Sequence, residues 1–236
     1  METKGANDSD EGGDQRVHVS LFATATSGVF FNSEQVDDEP GSLSSSPVFV
    51  PKKTPDWLGP DDEVVGAAVP VTPVLIVHTP HVSIVLESVT AYPTGVTFEI
   101  AMRLRRGDWD DDQWDEAQEA VFHHHHHHRR RRGQADLLVG VSLVDGSRAV
   151  SAGDWHRWPD NDDPPTPPVL LERGSGGGSS SGVTISSSRG FWLWPLPEGD
   201  LTIVIAWPTF DIPEHSVTVP AGPMTDAAAH SINAWP

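Results

Sequence analysis

The chain contains no cysteine among its 236 residues. That excludes disulfide scaffolds, Cys-ligated zinc, iron–sulfur clusters and thiol nucleophiles. Lysine is almost missing as well: Lys4, Lys52 and Lys53 stand beside 12 arginines. Basic side chains total 15 against 34 acidic ones, a net charge of −19. A phosphate backbone requires a basic footprint, so nucleic acid is not an expected partner. An anionic membrane surface is disfavoured for the same reason. No stretch approaches the ~18–20 apolar residues that span a bilayer. The longest candidate, Val64 to Leu86, is cut by Pro70, Pro73 and Pro80. The first fifteen residues, METKGANDSDEGGDQ, have neither the basic start nor the apolar run of a secretory signal. The expected compartment is the cytoplasm.

Glycine and proline, by contrast, are plentiful at 21 each, and their placement divides the chain. Residues 1–63 hold 13 acidic and 4 basic side chains amid Gly, Ser and Pro, which predicts a disordered acidic arm. Only Val17 to Phe22 and Val48 to Val50 interrupt it. From Val64 onward the pattern turns to period-2 alternation. Strands are expected over 71–77, 82–92 and 96–105. In the last, Val96, Phe98, Ile100, Met102 and Leu104 form one apolar face. Further strands are expected over 137–143, 148–150, 169–172, 183–196, 201–207 and 215–219, with Gly, Pro and Asp at the turns. Arg173 to Gly182 reads as flexible from its Gly and Ser content. Met224 to Trp235 reads as a C-terminal helix. About eight short strands with little helix predict an all-β fold: an antiparallel β-sandwich of immunoglobulin-like pattern. The expected domain spans 64–236, with an insertion at 107–135 and the helix at 224–235.

The insertion holds the loudest local feature. A short helix over 110–122, with Trp114, Ala117 and Val121 on one side, is followed by six histidines and four arginines. Tandem imidazoles in His123, His124, His125, His126, His127 and His128 can chelate zinc, nickel or copper. A defined metal site has fixed spacing and a supporting shell of hydrogen bonds, which a uniform run does not specify. The run is thus a functionless repeat expansion, a metal-handling or pH-sensing loop, or an internal tag. Asp108, Asp110, Asp112, Glu116 and Glu119 mimic calcium-loop spacing. Gln113 stands where the sharp turn needs glycine, so an acidic helix start is the expected reading. Gly178 to Gly182 formally matches a nucleophile elbow but lies in a Gly/Ser run without strand–turn–helix context. Glu87 and Glu99, on neighbouring strands, read as solvent-facing.

The other strong feature is aromatic. Phe191-Trp-Leu-Trp-Pro-Leu-Pro197 is apolar on both faces of one strand, so one pair must lie outside the core. Trp192 and Trp194 are then either covered, by the C-terminal helix or part of the arm, or open as a platform for a partner. Trp155 and Trp158, in the Pro-rich loop 153–168, could extend such a platform.

The segment Ala91-Tyr-Pro-Thr-Gly95, the strand ending Arg103-Leu-Arg105, the Trp194-Pro-Leu-Pro197 element, Ala206-Trp-Pro208 and Asp211-Ile-Pro-Glu214 together resemble a family of uncharacterised proteins from GC-rich bacteria. The resemblance covers roughly residues 75–236 and implies a recurring domain, with no activity, cofactor or catalytic residue. The expected function is a non-catalytic binding or accessory module acting through a protein partner. Metal buffering through the histidine run is the alternative. A hydrolase using sheet carboxylates or His156 is the second alternative.

Overall fold

A computed structural model describes residues 53–71, 73–122, 137–151 and 164–235. Of the acidic arm expected over 1–63, residues 1–52 lie outside them. The described chain is an antiparallel β-sandwich with two short helices.

One sheet is built around three long strands. β3 (Val74–His78) turns at Thr79-Pro80 into β4 (Val82–Tyr92), and a tight hairpin leads into β5 (Gly95–Arg105). β5 pairs along its whole length with β4 on one side and β9 (Thr184–Trp194) on the other. Its five alternating apolar side chains therefore have strands on both flanks and face the core. Phe98 and Phe191 stack at 5.2 Å across the β5–β9 pair. Gly95 is required at the hairpin: a Cβ there would sit 2.4 Å from the Leu193 carbonyl oxygen and 2.6 Å from the Trp192 ring. β8 (Val169–Ser180) forms one edge, and β2 (Ala67–Ala68) and β3 pair β4 at the other. We call this sheet I.

Sheet II contains β6 (Leu138–Ser142), β7 (Arg148–Val150), β10 (Leu201–Trp207) and β11 (Ile212–Val219), in the order β11-β10-β6-β7. Val139, Val141, Ile203, Ile205 and Trp207 point inward and share one core with Ile84, Leu86, Ile100 and Met102 of sheet I.

Helices close the two open ends of the sandwich. α1 (Asp111–Phe122) drives Trp114, Ala117, Ala120 and Val121 into the core. Its start is a reciprocal capping box: Gln113 N–H donates to the Asp110 carboxylate at 2.9 Å, and Asp110 N–H donates to Gln113 Oε1 at 3.0 Å. α2 (Ala221–Ala229) buries Met224, Ala227 and Ala228 and packs against β4. Finally β1 (Val64–Val65) pairs β12 (Ile232–Asn233).

Three expectations are corrected. The run 173–182 is not a free linker: β8 continues to Ser180 because β9 supplies backbone partners past two irregular steps in register. The C-terminal helix runs 221–229 rather than 224–235. Ala221 N–H donates to the Asp200 carboxylate at 2.9 Å, a cap from a distant turn. Beyond His230 the chain is taken by pairing with β1. The ordered domain also begins before residue 64, because Trp57 is buried. The insertion forms α1 as expected, while residues 123–136 lie outside the described chain.

Candidate functional site

Alternation in β9 sends Phe191 and Leu193 into the sandwich and Trp192 and Trp194 to the outer face of sheet I. Trp192 has no exposed surface, and its cross-strand neighbour Leu171 is also buried. Both stand apart from the interlayer core. The cover is Pro55-Asp-Trp-Leu-Gly-Pro60, from the part of the chain expected to belong to the arm. The Trp192 indole N–H donates to the Asp56 carbonyl at 3.0 Å, and Trp57 beside it is 5% exposed. The Arg173 guanidinium donates to the Leu58 carbonyl at 3.0 Å, clipping the strap to β8. Lys53 pairs with Asp61 at 2.7 Å. The Lys53 ammonium and the Glu63 N–H together hold the Asp61 carboxyl below its ordinary range, and Asp61 in turn raises Lys53. Trp192 is therefore closed to a partner, and Trp194 is half-buried. Trp155, Trp158 and the run His123 to His128 lie outside the described residues.

A polar cluster lies at the α1 end. The β3–β4 turn is fixed by Thr79, whose hydroxyl accepts from the Val82 N–H at 2.9 Å. This presents His81 between the Arg105 carbonyl, 3.2 Å from Nδ1, and the Asp108 carboxylate, 3.0 Å from Nε2. The ring stacks on Trp109 at 4.2 Å and 8°. Gly107 has φ +56°, and a Cβ on it would lie 2.9 Å from the His81 ring, so glycine suits both the turn and the space. A cleft of about 410 Å³ lies beside this turn, lined also by Gln113, Glu116 and Asp211. With an acceptor within hydrogen-bond distance of each ring nitrogen and Trp109 stacked on its face, His81 ties the 106–110 turn to the start of β4.

The calcium-like spacing does not converge. Asp108 faces His81, Asp110 caps α1, and Asp112, Glu116 and Glu119 lie along the helix. Among the described residues no group of three His, Asp or Glu side chains could hold a metal ion. Glu87 lies on the solvent side and pairs with Arg103 at 2.5 Å. Arg189 and Glu172 approach at 3.9 Å with Arg189 buried, a pairing that alternation alone did not reveal.

The feature that sequence reasoning missed is the outer face of sheet II. Register places Ala206 beside Leu138, and sets Val204 and Val150 on opposite sides of Gly140. Leu138 is 48% exposed and Val150 68%. With no side chain at Gly140, these residues border a shallow trough of about 360 Å³, with Arg148 and Glu214 at its margins. The signal was available in the second face of the strand Leu138-Val-Gly-Val-Ser142, which is not uniformly polar.

Comparison with protein-family models, curated proteins and solved structures finds no match. Among the described residues no helix is long and apolar enough to cross a membrane.

Proposed function

We propose that the chain is a non-catalytic binding or accessory module of the cytoplasm that acts through protein–protein contacts, with the outer face of sheet II as its contact surface. The observation that carries this reading is the apolar trough formed by Leu138, Val150, Val204 and Ala206 around Gly140. Contiguous exposed apolar surface with a charged margin is a common mark of a contact face. The lack of cysteine is in keeping with that compartment.

The test is affinity capture from the cells of origin, using the full chain and a Val150→Asp/Val204→Asp form. Proteins held by the first and lost by the second support the reading. No captured protein, or the same set from both, overturns it.

Metal binding through His123 to His128 is a second reading, carried by six consecutive imidazoles. Calorimetric titration with nickel or zinc at micromolar concentration tests it. No binding, or binding that survives replacement of all six by Ser, ends it.

A further inference from the structure

The outer face of sheet I has an open half as well as the half covered by the strap. Near the α1 end, backbone register aligns His78 of β3, Ser83 of β4, Arg103 of β5 and Ser186 of β9 in one row across four strands. In the next row Arg105 stands opposite Thr184. These six residues line a hollow of about 370 Å³.

Its lining includes no carboxylate, in a chain with 34 of them. The Arg103 partner, Glu87, and the His81 partner, Asp108, lie outside the lining. Arg105 has no carboxylate partner among the described residues. Its Nε donates to the Pro80 carbonyl, which orients the guanidinium without neutralising it. Guanidinium groups and hydroxyls are donors suited to a tetrahedral oxyanion. Arg103 is shared with Glu87, and the Thr184 and Ser186 hydroxyls also meet Ser181 and Ser179 at 2.9 and 2.8 Å, so the Arg105 fork and the Ser83 hydroxyl are the donors that turn most readily to an oxyanion.

We propose that this hollow binds a phosphate group, with Arg105 as its main anchor and Arg103, Ser83, Thr184 and Ser186 around it. The proposal is independent of the protein-contact reading, because the hollow and the trough lie on different sheets.

The experiment is a titration of the full chain, followed by backbone amide chemical shifts, with inorganic phosphate at constant ionic strength. Sodium chloride and acetate are the control arms, and glycerol phosphate is a fourth. Saturable shifts at Ser83, Arg105 and Thr184 with phosphate, and much weaker ones with chloride and acetate, are expected. Arg105→Ala should weaken binding by about ten-fold or more, the scale of a lost charged hydrogen bond. Arg105→Lys, which keeps the charge but loses the fork, should fall between. Tighter binding of glycerol phosphate would assign the hollow to an organic phosphate, and equal binding to the free ion. Shifts that match those with chloride, or that persist unchanged in folded Arg105→Ala, would overturn the proposal. Should Arg105→Ala melt early, Arg103→Ala and Arg105→Lys decide, and undiminished phosphate binding by both would sink it.

Discussion

The two sheets carry apolar side chains on their outer faces and treat them in opposite ways. On sheet I the large residue, Trp192, lies under a strap that supplies a carbonyl for its N–H and a second tryptophan beside it. On sheet II the smaller Leu138, Val150, Val204 and Ala206 have no cover among the described residues. Physical chemistry accounts for the difference. An indole offers the largest apolar burial of any side chain and one N–H that needs an acceptor when water is removed. An irregular backbone segment satisfies both needs. The trough on sheet II holds no indole, and its apolar floor of Val204, Gly140 and Val150 has no side-chain N–H that needs an acceptor from a strap.

That contrast can be broken experimentally, and the largest effect is expected under the strap. Trp57→Ala should destabilise the domain by about 3–5 kcal/mol, the scale of a large core truncation. Urea denaturation followed by circular dichroism measures it. A loss below about 1 kcal/mol would mean that the strap is loosely held. Next, Trp192→Phe removes the hydrogen bond to Asp56 with part of the ring. A loss of about 1–2 kcal/mol is expected in the same assay.

On sheet II, Val150→Asp should leave stability within about 0.5 kcal/mol of the parent, since the side chain is 68% exposed on the edge strand β7. A large loss there would show that the trough has a hidden cover. The smallest effect belongs to Lys53 and Asp61. The Asp61 carboxyl is lowered from an ordinary value of 3.8, so its contribution is present above that value and fades as pH falls through the lowered one. Lys53 is raised from 10.5, so its contribution is present below that value and fades as pH rises through the raised one. Lys53→Ala should therefore differ from the parent only slightly near pH 7, and less in high salt, because both groups face solvent. A difference that persisted unchanged at pH 2 would refute this assignment.

Much of the sandwich was legible because burying one face imposes a period of two. The bounds of β4, β7 and β10 follow the alternation directly. Legibility failed where a distant partner decides. Arg173 to Ser180 looks like a linker because composition cannot show that β9 lies alongside. Asp200 caps α2 from 21 residues away, and β12 exists only because Val64 and Val65 meet it. The strap was hidden by its acidic surroundings, although one Trp bracketed by Pro55 and Pro60 was the visible hint. For the candidate site, the sequence pointed to the tryptophans, where apolar residues are dense. The exposed trough is made by small residues whose neighbourhood is set by register between β6, β7 and β10.

The pairing of β1 with β12 also has a mechanical side. Val64 lies opposite Asn233, and the Ala234 N–H donates to the Glu63 carbonyl at 2.7 Å, so the chain enters and leaves this ribbon at the same end. Tension applied through those two points would load its hydrogen bonds one after another, like a zip, rather than all together. The ribbon would part early under pulling while the long β4–β5–β9 strands kept their pairing.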